Sequence, residues 1–210
     1  WDALLKTHVK NGRVDYDGLQ ADKSQFDAYV ASLAQADVAK LSPKENFAFH
    51  CNAYNALCIG KILDEKPAKS ILDLSTKQQT VWDSRAGIIG GEAVSLNNIE
   101  HNKLRLVFAE PRVHACLVCA SASCPDLAPY AFNGKELDDQ LADRTRTWLA
   151  NPTKGFASER NGAVARLSRI FLWFEADFGD SLAFARANGA AVDGAPAVRY
   201  FEYDWSLNKS

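Results

Sequence analysis

The chain has 210 residues, of which 47% are hydrophobic and 24% are charged, and its formal net charge is −2. These values are ordinary for a globular protein, and they exclude the strongly basic surface that binds nucleic acid or anionic membranes. No run of about 18 apolar residues occurs, so no membrane-spanning helix is predicted. We expect one folded domain over residues 1–210, because a chain of this length buries enough surface without disulfides or metals.

Helices are predicted through the first third of the chain, at residues 2–10 and 24–34 and then over a longer segment. The longer helix has the clearest start signal, since Ser42 is an N-cap, Pro43 suits the first helical position and Glu45 completes a capping box. It is expected to end near Glu65, before Lys66-Pro67. Because it is apolar around most of its circumference, we predict that it is central and buried.

Short elements are predicted over the rest of the chain. Strands are expected at 80–82, 113–118, 163–167 and 198–203, a hairpin at 87–94 that turns at Gly90-Gly91, and helices at 95–106, 135–149, 171–178 and 181–188. No regular βαβ repeat is present. The pattern therefore favours an α+β fold, with a buried central helix packed on a small antiparallel sheet and further helices around it.

The five cysteines fall into two groups. Cys51 and Cys58 lie on the central helix, roughly 10 Å apart by helix rise, which is too far for a disulfide, so we interpret them as buried hydrophobic residues. The other three, Cys116, Cys119 and Cys124, lie within nine residues. Because the total is odd, at least one thiol is unpaired or binds something.

The central helix also carries the polar residues Asn52 and Asn55. A buried amide needs hydrogen-bond partners, because leaving it unpaired costs about 1–3 kcal/mol. One interpretation is that the two side chains tie neighbouring loops to the core. The other is that one of them lines a cleft and orients a ligand or a catalytic histidine.

Residues 100–124 hold the densest set of reactive side chains. Cys119 follows a predicted strand and precedes small residues, where a backbone can bend and expose a nucleophile. His101 and His114 are the available bases, and Glu100 can orient one of them. On a strand, His114 and Cys116 would point to the same face. The cysteine and histidine spacing is not that of a metal site, and we predict no metal or cofactor.

The chain resembles the uncharacterised family called domain of unknown function 547. The residues that carry the resemblance are A-F-H-C-N-A-Y-N-A-L at 48–57, S-L-N-N-I-E-H-N-K-L-R at 95–105 and P-R-V-H-A-C-L-V-C-A-S-A-S-C-P at 111–125, with weaker similarity at 1–16, 168–179 and 203–205. The chain departs from the family pattern at His50-Cys51 and at Ala122, where a polar residue is common. The second departure argues against chemistry that depends on a lysine at that place.

The resemblance implies a set of site residues but no established reaction. The positions it selects are Asn52, Tyr54, Asn55, Glu100, His101, Arg105, Arg112, His114, Cys119, Ser121, Cys124 and Pro125. It also implies a bacterial exported protein. The first residue, Trp1, and the absence of methionine suggest a processed chain, and we expect a periplasmic or otherwise exported location.

Three function classes stay open. The first is a thiol hydrolase or transferase, papain- or transglutaminase-like, with Cys119 as nucleophile, His101 as base and Glu100 or Asn52 as orienting group. The second is a redox dithiol of Cys119 and Cys124. The third is a non-enzymatic domain that binds a small-molecule or peptide ligand and has a structural 119–124 disulfide, which a short loop allows in an oxidising compartment.

Overall fold

The computed structural model describes residues 1–210, and about half of them are helical. The α-helices are α1 (Asp2–His8), α2 (Tyr16–Ala21), α3 (Lys23–Ala34), α4 (Pro43–Glu65), α5 (Leu106–Phe108), α6 (Leu137–Ala150), α7 (Ile170–Trp173), α8 (Glu175–Phe178) and α9 (Ser181–Ala187). A π-helix spans Asn98–Arg105 and a 3₁₀ helix spans Pro111–Ala115, with shorter 3₁₀ turns at Val38–Lys40 and Ile71–Leu74. The predicted α+β class is confirmed.

Helix α4 is the central element, and its predicted bounds are confirmed. The Ser42 side chain accepts from the Glu45 backbone N–H while the Glu45 carboxylate accepts from the Ser42 N–H, which completes the capping box. The helix ends at Lys66, which has a left-handed backbone with φ 48°. It packs against α3, the π-helix and strand β3 (Arg85–Ile89). Strand β3 passes so close that a Cβ on Gly87 would lie 2.5 Å from Leu57.

Two antiparallel hairpins and one three-stranded sheet make up the β structure. Strands β1 (Val9–Lys10) and β2 (Arg13–Val14) form the first hairpin, and β3 pairs with β4 (Glu92–Ser95) through the predicted Gly90-Gly91 turn, where both glycines have positive φ. The third sheet has the order β5 (Phe156–Glu159), β6 (Val164–Leu167), β7 (Ala197–Tyr200). Its β6–β7 pair is parallel, because α7, α8 and α9 connect the two strands, so the sheets are antiparallel except for this pair.

The strand predicted at 80–82 is wrong. Thr80 and Asp83 close a turn there, since the Thr80 hydroxyl donates to the Asp83 carboxylate (2.5 Å) and accepts from the Asp83 N–H (3.2 Å). Threonine and aspartate form such turns because their short side chains hydrogen-bond nearby backbone. Trp82 is therefore carried by a loop.

The strand predicted at 113–118 is also wrong, and with it the prediction that His114 and Cys116 share a strand face. Pro111 starts the 3₁₀ helix, and the Glu110 side chain accepts from the Arg112 N–H (3.0 Å). After the helix, the Asn55 amide donates to the Cys116 carbonyl (2.8 Å) and accepts from the Val118 N–H (2.9 Å). A side chain thus takes the hydrogen bonds that a neighbouring strand would otherwise make.

The buried apolar residues form two clusters. The larger cluster surrounds α4 and includes Leu57, Ile99 and Leu127. The smaller one surrounds Trp148 and Phe171, and it joins α6 to the sheet and to α7–α9. The prediction of one domain stays a prediction.

Candidate functional site

A cleft of about 230 Å³ lies where residues of the two apolar clusters meet. Its lining residues are Tyr54, Trp82, Asn97, Glu100, His101, His114, Leu117, Cys119, Cys124, Ile170, Trp173, Phe174, Tyr203 and Trp205. Four residues selected from the sequence for chemistry, Glu100, His101, His114 and Cys119, are among them. The cleft is therefore the one place where the predicted reactive groups share a space.

The backbone around Cys119 is held from both sides. Upstream, Asn55 binds the backbone of residues 116 and 118. Downstream, the segment runs beside the C-terminal residues, with the Ala122 N–H bound to the Ser206 carbonyl (2.7 Å) and the Asn208 N–H to the Ala120 carbonyl (3.0 Å). Ala120 has φ 60°, which is uncommon for a residue with a side chain and marks a sharp bend directly after Cys119.

Three side chains surround the Cys119 sulfur. Its Sγ atom lies 3.0 Å from Cys124 Sγ, 3.1 Å from Ser121 Oγ and 3.3 Å from the Tyr203 hydroxyl. Contact with Cys124 lowers the pKa of the Cys119 thiol most, Ser121 and Tyr203 lower it further, and burial opposes them. The thiolate of Cys119 is therefore stabilised by polar contacts on three sides.

The pKa of Cys124 is shifted in the opposite direction. Burial raises the pKa of its thiol, and the neighbouring Cys119 raises it further. The Cys119 backbone N–H donates to Cys124 Sγ (3.0 Å). All five cysteines are free, so the predicted 119–124 disulfide is not formed in this structure, although the two sulfurs are in contact.

The π-helix presents Glu100, His101 and Arg105, and π-helical turns are frequent at functional sites. Arg105 donates from Nε to Asp177 Oδ2 (2.5 Å), from Nη2 to Asp177 Oδ1 (2.9 Å) and from Nη1 to His101 Nδ1 (2.5 Å). Because a guanidinium only donates, Nδ1 of His101 must be the acceptor and Nε2 carries the hydrogen of the neutral ring. Burial and Arg105 lower the pKa of His101.

His114 is held by the same carboxylate. Its Nε2 lies 2.7 Å from Asp177 Oδ2 and must donate, because an ionised carboxylate only accepts. The ring packs 4.1 Å from the Phe174 ring, and burial lowers the pKa of His114 to about 4. His114 is therefore neutral at physiological pH, with an unprotonated Nδ1.

Glu100 has no arginine or lysine partner. Its nearest basic atom is His114 Nδ1, 3.9 Å from Oε1, and its side chain is only 13% exposed. Burial raises the pKa of Glu100 to about 7, while Arg105 and the Tyr54 hydroxyl oppose the shift. Glu100 is not paired with an arginine, because Arg105 binds Asp177 and Arg112 binds Glu110.

Several predicted site residues lie outside the cleft or act through others. Asn52 donates to the Phe132 carbonyl (2.8 Å) and accepts from its N–H (2.9 Å), so both asparagines tie loops to α4, as one of the two interpretations held. Arg112 is paired with Glu110 and does not line the cleft. Ser121 is buried and contacts both Cys119 and Tyr203.

Asp177, Tyr203 and most of the aromatic lining were not predicted from the sequence. Tyr203 contacts Trp173 (4.7 Å between ring centroids) and Trp205 (4.6 Å), and Trp205 lies 6.3 Å from Trp82. We call these four residues the aromatic wall. The similarity at 168–179 and 203–205 was the available signal for them, but local sequence does not reveal that these segments approach Cys119.

No three or more histidine, cysteine, aspartate or glutamate side chains are grouped so as to hold a metal ion. None of the helices combines the length and the apolar character needed to span a bilayer.

Residues 38–149 match the family model described as "Protein of unknown function, DUF547". The match covers more than half of the chain, so the chain belongs to this family, and the resemblance is confirmed. The matched segment contains α4, the π-helix and the Cys119 loop, while Asp177 and Tyr203 lie beyond it. No curated protein and no solved structure matches the chain.

Proposed function

We propose that this protein is a thiol-dependent hydrolase or transferase in which Cys119 is the nucleophile. The observation that supports the proposal most is the position of the Cys119 sulfur, which lies at the cleft within 3.0 Å of Cys124 Sγ, 3.1 Å of Ser121 Oγ and 3.3 Å of the Tyr203 hydroxyl. Among the five cysteines, only Cys119 has its pKa lowered, and these contacts lower it. Burial raises the pKa of the other four thiols. A thiolate that lines a cleft is the reactive form of the residue in thiol enzymes.

The proton-transfer group in this proposal is Glu100. It lines the same cleft as Cys119, and a carboxyl group that titrates near pH 7 can both give and take a proton. Neither histidine hydrogen-bonds to Cys119. The role of His101 as base stays a prediction, and its ring favours a donor role instead, because Arg105 occupies the lone pair of Nδ1.

The experiment is alkylation of the reduced native protein with iodoacetamide at pH 7, followed by peptide mass spectrometry. We expect one fast modification, at Cys119, and slow modification at the buried thiols. Cys119→Ser should remove the fast phase, and the matched control Cys58→Ser should keep it. Slow labelling of all five cysteines until the protein unfolds would contradict the proposal and favour a non-enzymatic binding domain.

A redox dithiol is the second candidate, and the contact between Cys119 and Cys124 supports it. A low-pKa thiol beside a buried high-pKa thiol is the arrangement of dithiol oxidoreductases, in which the first attacks and the second resolves. The two candidates differ in their need for Cys124. If the protein is a redox dithiol, oxidised glutathione converts Cys119 and Cys124 of the native protein to a disulfide with release of two molecules of reduced glutathione, whereas Cys124→Ser stops at a mixed disulfide of Cys119 with glutathione. Under the first proposal the native protein stops at that mixed disulfide as well.

The ligand and the location are proposals as well. We propose a small-molecule or peptide ligand, which a cleft of this size suits, and an exported location. Fractionation of cells that express the natural gene tests the location, with recovery in the cytoplasm as the contrary result.

A further inference from the structure

We propose that the cleft takes a ligand that carries a primary ammonium group on an apolar body, with the ammonium bound between Glu100 and His114. This inference names the ligand class of the thiol site. It rests on the proposed function only for the statement that the ligand is the substrate, and with the ammonium bound Glu100 is ionised and can take a proton but not give one.

Two hydrogen-bond acceptors, on Glu100 and on His114, lie close together in the lining of the cleft. Glu100 Oε1 lies 3.9 Å from His114 Nδ1. His114 donates to Asp177 from Nε2, so its Nδ1 offers a lone pair. An ammonium nitrogen can lie about 2.8 Å from both Glu100 Oε1 and His114 Nδ1 at this separation, and it can donate a hydrogen bond to each.

The protein supplies no free cation of its own to pair with Glu100. The guanidinium of Arg105, the nearest fixed cation, is bound to Asp177 and His101 through all three of its nitrogens. No lysine lines the cleft. A largely buried carboxylate without a cationic partner is costly, and a positively charged ligand removes that cost.

The aromatic wall suits the apolar body of such a ligand, because its four residues line the same cleft. Aromatic faces bind apolar groups and also attract cations through their quadrupole. Trp173 is 45% exposed at the cleft, which is unusual for so large an apolar side chain. Trp173 and Trp205 stack with an interplanar angle of 25° and form a flat surface against which the body of the ligand can lie.

The test uses 2-phenylethylamine and its neutral counterpart 2-phenylethanol as probes, with binding to the reduced native protein followed by tryptophan fluorescence and calorimetry. We expect the amine to bind at least about tenfold more tightly than the alcohol, because the charge-assisted hydrogen bonds are lost in the alcohol. This comparison needs no variant and so does not depend on the folding of a mutant.

Two variants sharpen the test. Glu100→Gln should weaken amine binding by about tenfold or more and leave the alcohol unchanged. The matched control is Glu92→Gln, which also removes one carboxylate but lies exposed on β4, away from the cleft. We expect it to leave both affinities unchanged.

Equal affinities of the native protein for amine and alcohol would overturn the inference. So would undetectable amine binding, or amine binding that Glu100→Gln leaves unchanged. The proposed function can fail separately. Fast alkylation of Cys119 without amine preference overturns only this inference, whereas amine binding that depends on Glu100 beside an unreactive Cys119 overturns only the thiol enzyme.

Discussion

Tyr203 contacts the Cys119 sulfur although 84 residues separate the two in the chain. Its hydroxyl also lies 3.1 Å from Ser121 Oγ, which donates to it. The hydroxyl hydrogen of Tyr203 is then free to be donated to the Cys119 sulfur. At the scale of single residues, the reactivity of Cys119 therefore depends on a side chain far from the cysteine cluster.

Replacing that tyrosine should make Cys119 less reactive. Tyr203→Phe removes one donor to the thiolate, and hydrogen bonds to charged groups are worth about 1.5–3 kcal/mol. We expect the pKa of Cys119 to rise and alkylation at pH 7 to slow by about tenfold. Tyr200→Phe is the control, because Tyr200 does not line the cleft. An equal rate of Cys119 alkylation in both variants would show that Tyr203 does not stabilise the thiolate.

Glu100 should make the protein less stable as the pH rises. Its pKa is raised from 4.5 to about 7 on folding, so the folded state holds the proton more tightly than the unfolded state. Stability is therefore full below pH 4.5 and falls as the pH rises to 7, by roughly 3 kcal/mol at about 1.4 kcal/mol per pH unit. Glu100→Gln should abolish this loss, so the variant gains stability over the native protein above pH 7.

The free energies of unfolding of the variant and the native protein must be subtracted at each pH, because His114 changes stability with pH in the opposite direction. Its pKa is lowered to about 4, so it reduces stability as the pH falls from 6.5 to 4. The charged and titratable groups that face Glu100 are Tyr54, Arg105, His114, Cys119 and Asp177. Urea unfolding at pH 5 and pH 8 gives the free energies of unfolding of the native protein and of Glu100→Gln. A difference between the two proteins that does not change with pH would contradict the raised pKa of Glu100.

At the level of secondary-structure elements, the predicted bounds are correct where the sequence signal is local. Helix α4 was found because Ser42, Pro43 and Glu45 lie within four residues and determine where the helix starts. The segment 113–118 was misread because its apolar pattern suits a strand equally well. What decides its structure is Asn55, 61 residues before Cys116, whose amide binds the backbone directly.

Removing the Asn55 amide should destabilise the Cys119 loop. Asn55→Ala leaves the Cys116 carbonyl and the Val118 N–H unpaired in the core. We expect a loss of about 2–4 kcal/mol in the free energy of unfolding, since each buried unsatisfied group costs about 1–3 kcal/mol. Urea unfolding measures it, with the exposed Gln25→Ala on α3 as control. A change below about 1 kcal/mol would mean that water replaces the amide.

At the scale of the whole molecule, the candidate site was predicted in part. Glu100, His101, His114 and Cys119 were found because they lie close together in the sequence. Asp177 and Tyr203 were not, because the C-terminal third of the chain brings them to the cleft through tertiary packing. The site thus combines the segment that matches the family model with residues that follow it.

The prediction of one domain implies one cooperative unfolding transition. Phe171→Leu reduces packing in the smaller apolar cluster, and Leu57→Ala does so in the larger one. If the two clusters unfold together, each variant shifts the circular dichroism and tryptophan fluorescence transitions by the same amount. Two separate transitions, of which each variant moves only one, would show two domains.

The reactivity of Cys119 is tested most directly by the pH dependence of its alkylation in the reduced native protein. The rate follows the thiolate fraction, so its inflection reports the pKa of this one sulfur. We predict an inflection well below the ordinary thiol value of about 8.5, because Cys124, Ser121 and Tyr203 stabilise the thiolate. An inflection at or above that value would contradict the claim that Cys119 is the reactive centre.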